Sequence, residues 1–301
     1  MPLATFFKSP HMLLAITTFI WGGNAIAGKF AVGHISPMVL TMFRWGIALA
    51  IVAIIARPHL KADWPEMKAN WLYLLLMGGF GYTAFNFCLY SALQYQTAVN
   101  VTLEQSAMPV VIFILNLVIY RIGIRWMQIV GYALTMIGVV VVVSAGDPLS
   151  LLGENRPPLN RGDLYMLAAA IFYGGYSTAL RSKPQMHWLS FLTALVAAAL
   201  LFAMAGATFE TAQGNALWPT TVQGVLVALF TGIFPSLVSQ GFFIKGVEAL
   251  GANMAGLYIN LVPVFGALLA VAMLGESLHV FHAVAFVLVV GGITIAQRVR
   301  G

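Results

Sequence analysis

Long apolar runs, each closed by a short cluster of charges, prolines or polar residues, take up nearly the whole chain. On the scale of about 20 residues that a helix needs to cross a bilayer, they fall at 12–32, 38–56, 71–93, 99–120, 126–145, 163–181, 188–208, 221–244, 252–274 and 280–297. Within each run the apolar residues are continuous and do not alternate every second position, which favours helices over the strands of a membrane barrel. The pattern therefore predicts an all-α integral membrane protein with ten transmembrane helices.

Composition agrees. Of 301 residues, 60% are hydrophobic and 8% charged, against roughly 25% charged in a soluble domain. Mean hydropathy is +0.90. The single Cys88 excludes a disulfide scaffold. The net charge of +6 comes from scattered basic residues, not from a dense run that would suit nucleic acid. Placing both termini in the cytoplasm puts Lys8, Arg57, Lys61, Lys68, Arg121, Arg125, Arg181, Lys183, Lys245, Arg298 and Arg300 inside, against only Arg156 and Arg161 outside. That asymmetry satisfies the positive-inside rule. Lys8, the apolar run and Ala25-Ile26-Ala27 imitate a signal peptide, but the run is long for one and has a counterpart later in the chain. It is read as the first retained span.

The counterpart belongs to an internal repeat. Residues 71–140 align without a gap onto 225–294 at an offset of 154, with Gly78 on Gly232, Pro109 on Pro263 and Gly138 on Gly292. At an offset of 152, Trp21-Gly22-Gly23-Asn24 falls on Tyr173-Gly174-Gly175-Tyr176. The expected organisation is a five-helix repeat at 1–146, an extracytoplasmic linker at 147–162 and a second five-helix repeat at 163–301. An odd number of spans per repeat turns the second copy upside down in the bilayer. Two inverted repeats are the plan of many secondary transporters, which open a site near the midplane to each side in turn.

Polar residues within spans are costly and mark candidate sites. The substrate-lining candidates are Trp21, Asn24, Tyr82, Asn86, Gln105, Tyr176, Gln240, Tyr258 and Asn260. Asn24, Asn86 and Gln240 are expected to face one central space. Pro109 and Pro263 interrupt their spans, as packing kinks or as parts of a gate. Glycine pairs read as close-packing surfaces. Arg44 and Glu104 are charges within spans; they could pair, snorkel to the interface, or, for Glu104, hold an ammonium group or organic cation. Asp63, Asp147 and Asp163 read as loop residues, so no span carries the chain of Asp, Glu and His expected of a proton relay. Enzyme motifs are absent, and His279 and His282 lack a third metal ligand. No metal, cofactor or obligate protein partner is expected.

The Trp21-Gly22 signature, Pro37 followed by Arg44, the paired Pro109 and Pro263, and Leu274-Gly275-Glu276-Ser277-Leu278 together resemble the drug/metabolite transporter (DMT) superfamily, specifically its EamA branch. The aromatic-rich spans look most like the YddG-type aromatic amino-acid exporters. The resemblance implies a bacterial inner-membrane carrier that exports aromatic and other neutral amino acids by alternating access, its cavity built from spans 1, 3, 4, 6, 8 and 9. A multidrug exporter of organic cations, or a passive small-solute channel, is the alternative. Arg121-Ile122-Gly123 replaces Leu-Gly-Glu in the first half, which suits a role for that motif in topology or helix capping.

Overall fold

The computed structural model describes residues 9–121, 125–152, 160–259 and 261–298. Among these the chain is helical, with no strand. We number the helices α1 (Pro10–Ala31), α2 (Pro37–Ala69), α3 (Trp71–Ala92), α4 (Ala98–Tyr120), α5 (Trp126–Val143), α6 (Arg161–Ala179) and α7 (Trp188–Ala212). Next comes α8, composed of Val222–Ile233, a π-helical turn Phe234–Val238 and Ser239–Ile259, then α9 (Leu261–Leu274) and α10 (Val280–Arg298). Six are long and apolar enough to cross a membrane: α2, α3, α4, α5, α7 and the Val222–Gly246 part of α8. Exposed Val118, Leu201, Leu226 and Val287 give the bundle the apolar outer surface that lipid requires, and Trp64, Trp71 and Trp126 stand exposed at helix ends, where aromatic rings suit the membrane interface.

Local sequence explains the helix starts. Pro10 and Pro37 occupy first-turn positions, where a missing N–H costs nothing. Thr97, Asn160 and Thr221 each accept a backbone N–H from the first turn of α4, α6 and α8, and Asp163 returns the bond to Asn160 as a capping box. Two boundaries differ from expectation. The basic segment 57–68 is not a loop, because α2 runs on to Ala69 through Pro58 and Pro65. Its Leu, Lys, Ala, Glu and Met residues favour helix, and it is held against α7 by Asp63 Oδ2 accepting His187 N–H at 3.0 Å. The expected break near 245–251 is also helical, since that stretch contains no proline and α8 continues to Ile259.

Two kinds of close contact recur with their partners exchanged. Gly131 on α5 faces Gly292 and Ala296 on α10, while Gly138 on α5 faces Ala285 and Val289 on α10. The offset of 154 carries Gly138 to Gly292 and position 131 to Ala285, so the second contact is the first with its halves swapped. Likewise a Cβ on Gly22 would lie 2.8 Å from Gly266 N, and one on Gly174 would lie 2.6 Å from Val111 Cγ1. Gly22 maps to Gly174, and Val111 to Phe265, the neighbour of Gly266. The π-helical turns obey the same relation, because Met77–Ala84 in α3 corresponds to a window ending with Phe234–Val238 in α8.

Candidate functional site

Where α1, α2 and α3 meet, three polar side chains close a triangle. Arg44 Nη1 donates to Asn24 Oδ1 at 2.9 Å and to the Tyr90 hydroxyl, which itself donates to Asn24 Oδ1 at 3.0 Å. All three residues are buried. Arg44 lies two turns into α2, about 10 Å from its start. Its partners are both neutral, and among the described residues it has no carboxylate partner. A guanidinium in that setting costs about 3 kcal/mol on insertion scales, so an anion at this position would be strongly favoured.

An aromatic ladder leads away from the triangle. The Arg44 guanidinium sits 4.9 Å from the centroid of the Trp45 ring, and Trp45 stacks on Tyr82 at 4.7 Å with an interplanar angle of 17°. Tyr82 meets Tyr176 at 5.5 Å, Tyr176 meets Tyr173 at 5.8 Å, and Tyr173 meets Phe85 at 5.2 Å. Gly81 makes room for this crossing of α3 and α6: a Cβ there would sit 2.7 Å from Tyr176 Cβ. Tyr82 lies within the π-helical turn Met77–Ala84, a backbone form that recurs at functional sites because it redirects side chains.

Several buried polar atoms beside this cluster have no hydrogen-bond partner among the described residues. They are Arg44 Nε, Trp45 Nε1 and Asn86 Oδ1; Asn86 Nδ2 is used on the Tyr82 carbonyl at 2.7 Å. Each orphaned group costs about 1–3 kcal/mol. The set comprises one N–H of the guanidinium itself, one indole N–H beside it and one amide acceptor, next to stacked rings. It is suited to a molecule with a carboxylate, a donor such as ammonium, and an aromatic face.

Of the sequence-predicted residues, Asn24, Tyr82, Asn86 and Tyr176 lie in or against this cluster. Trp21 packs on Phe243 at 5.3 Å. Gln240 is half-buried on α8, next to Ser239, whose carbonyl accepts the Thr17 hydroxyl. Tyr258 bonds His11 Nδ1 at 2.8 Å near the start of α1, away from the triangle. Asn260 lies outside the described residues. Gln105 is half-buried in the 3-10 turn Gln105–Ala107 that divides α4. Pro109 follows that turn and explains it, since its ring removes the N–H that the Gln105 carbonyl would accept. Pro263 is buried near the start of α9. Arg44 and Glu104 do not pair. Glu104 instead accepts from Gln96 Nε2 at 3.0 Å and touches the Asp163 carboxyl. Trp45 escaped the sequence reading; its only sign was an indole beside an arginine inside a span.

Two carboxylates outside the cluster, Glu276 and Glu210, serve as helix caps. Glu276 accepts from Ala98 N–H at 2.8 Å and Val99 N–H at 2.9 Å, closing the start of α4 from the loop before α10. Glu210, at the end of α7, accepts from the Ser36 hydroxyl at 2.6 Å and Met38 N–H at 3.3 Å at the start of α2. The Leu-Gly-Glu motif thus acts in helix capping. Of its first-half counterpart, Arg121-Ile122-Gly123, only Arg121 is among the described residues, where it closes α4 with a left-handed φ of 51°.

The EamA-like transporter family profile matches the chain twice, over residues 8–144 and 160–297. The uncharacterised transporter YyaM of Bacillus subtilis is 24% identical, over 96% of this chain and 93% of its own. A probable amino-acid metabolite efflux pump of Salmonella typhimurium is 24% identical over 96% of this chain and 94% of its own. A solved crystal structure with 19% identity aligns at a TM-score of 0.63, covering 98% of this chain and 99% of that one; the two share a fold.

Proposed function

Because the chain belongs to the EamA-like transporter family, we propose that it is a secondary carrier exporting aromatic and other neutral amino acids by alternating access. It is a multi-pass membrane transporter of small solutes and not an enzyme. The observation that carries the substrate reading is Arg44, a buried cation that among the described residues is hydrogen-bonded to the neutral Asn24 and Tyr90, at the head of the Trp45–Tyr82–Tyr176 ladder. In the proposed complex the substrate carboxylate receives Arg44 Nε and Trp45 Nε1, the ammonium donates to Asn86 Oδ1, and the ring joins the ladder. Arg44 argues against an organic cation in the same place. The name of the Salmonella relative, an amino-acid metabolite efflux pump, supports the same class.

Ten spans arranged as two inverted repeats, with both termini cytoplasmic in a bacterial inner membrane, complete the proposal. It is supported by the exchanged contacts of α5 with α10, by the double match to the family profile, and by the distribution of Lys and Arg. The cluster is buried, so substrate reaches it only when one half moves against the other.

The test is counterflow of labelled phenylalanine in proteoliposomes holding only the purified protein. Saturable counterflow is expected, with competition by Trp and Tyr and also by phenylpropionate, which keeps the carboxylate. Phenethylamine, which lacks it, is expected to compete poorly. Flux without saturation would identify a channel, and competition by phenethylamine alone would overturn the carboxylate reading.

A further inference from the structure

At the end of the bundle where α4 and α6 begin, two carboxyl groups meet across the two halves of the chain. Glu104 is 3% exposed and lies close enough to Asp163, which is half-buried in the first turn of α6, for the two carboxyl groups to interact. Asp163, expected in a loop, lies in the first turn of α6. Its capping role fixes it in the helix, as one oxygen accepts Asn160 N–H at 3.2 Å. Two carboxyl groups placed against each other favour sharing one proton, because two like charges repel when water is excluded.

The surroundings are short of donors. Gln96 Nε2 donates to Glu104 Oε2 at 3.0 Å, but among the described residues Glu104 Oε1 and Gln96 Oε1 are buried acceptors with no donor. One added proton supplies what the cluster lacks. Lys29 on α1, which reaches the Gln96 backbone, is already used: its Nζ donates to the Leu93 and Gln96 carbonyls at 2.9 and 2.8 Å. The other groups facing this end are Glu276, bonded to the α4 amides; His282 on α10, bonded to Asn100 Oδ1 at 3.0 Å; and exposed Arg161 on α6. The ionisable residue of α5, Tyr132, packs on Phe113 farther along α4, and α9 (Leu261–Leu274) has no ionisable side chain.

We propose that Glu104, Asp163 and Gln96 form a proton-binding site that holds α4 against α6 when loaded and lets this end open when empty. Asp163 reaches water and passes the proton inward. Its O–H bond breaks as one forms on Glu104, and the net charge of the pair stays at −1. Loss of the proton to water leaves two adjacent anions, one on each half, whose repulsion separates the helices. The coupling of this step to transport rests on the carrier reading above; the proton site itself does not.

Infrared spectroscopy of the purified protein tests the site without substrate. The carbonyl stretch of a protonated carboxyl should be present near neutral pH, be lost in Glu104→Gln, and titrate at lower pH in Asp163→Asn. No such band in the wild type, or an unchanged band in Glu104→Gln, overturns the proposal; a Glu104→Gln protein that does not fold leaves the Asp163→Asn titration to decide. In proteoliposomes, phenylalanine counterflow should depend on pH in the wild type and lose that dependence in Glu104→Gln, and equal dependence in both overturns the gating role. A band that behaves as expected without any amino-acid counterflow keeps the proton site and removes the amino-acid reading. Counterflow without the band does the reverse.

Discussion

Arg44 donates to the amide oxygen of Asn24 at 2.9 Å, and the Tyr90 hydroxyl bridges the same two residues. The charge is positioned by neutral groups and neutralised by none among the described residues. An arrangement built for stability alone would put an acid there or no charge at all, since burying an uncompensated ion works against folding.

Stability and transport should therefore move in opposite directions in Arg44→Gln. Phenylalanine counterflow should fall by about 10- to 100-fold, the range for losing a charge-assisted hydrogen bond, while the thermal midpoint in detergent holds or rises. Arg44→Lys keeps the charge but not the planar fork, and should lose much of the flux as well. A lowered midpoint with unchanged counterflow would make Arg44 a structural residue.

Gly81→Ala probes the aromatic ladder without removing any ring. The added methyl would sit 2.7 Å from Tyr176 Cβ, so Tyr176 must shift away from Tyr82. An aromatic pair contributes about 0.5–1.5 kcal/mol, and apparent affinity for Trp should weaken by about 2- to 10-fold while that for Leu changes less. Competition against labelled phenylalanine reads both. Equal weakening for Trp and Leu would argue that the ladder does not contact the substrate ring.

How far the chain could be read ahead of its structure depended on the range of the signal. Hydropathy is local, so the run at 126–145 appears as α5, Trp126–Val143, and the run at 188–208 as the core of α7, Trp188–Ala212. Charges and prolines hid the rest of α2 at 57–69, because loop composition there is outweighed by helix formers and by the His187 contact. Asn24, Tyr82 and Tyr176 could be named from polarity within spans. That Arg44 would find Asn24 and Tyr90, and Glu104 would find Asp163, could not. Those pairs are set by which helix faces meet, and that leaves no periodic trace in either segment.

Glu276→Gln should loosen the start of α4 selectively. The carboxylate accepts two first-turn amides, and a side-chain cap of this kind is worth about 0.5–2 kcal/mol, with a further contribution from charge at the helix N-terminus. The thermal midpoint should drop modestly. Hydrogen exchange should accelerate at Ala98 and Val99 and stay unchanged in α7, which Glu276 does not touch. Uniform acceleration along the chain would mean that the residue supports the whole bundle and not this helix end.

The sharpest packing prediction concerns Gly131 and Gly292, which face each other along the α5–α10 contact. A Cβ on Gly131 would come within 2.6 Å of Ala296 N, and one on Gly292 within 2.8 Å of Thr135 N. These obstructions are backbone atoms, which cannot rotate aside. Overpacking of this type costs about 1–3 kcal/mol, so Gly131→Ala and Gly292→Ala should each lower the thermal midpoint clearly. Once one alanine has pushed the helices apart, the second meets less resistance, and the double variant should cost less than the sum of the two. Gly291→Ala is the control: a Cβ there meets nothing within 4 Å, and its midpoint should not fall. A strictly additive double variant would show that each glycine is crowded by a separate neighbour and that the two helices do not move as a pair.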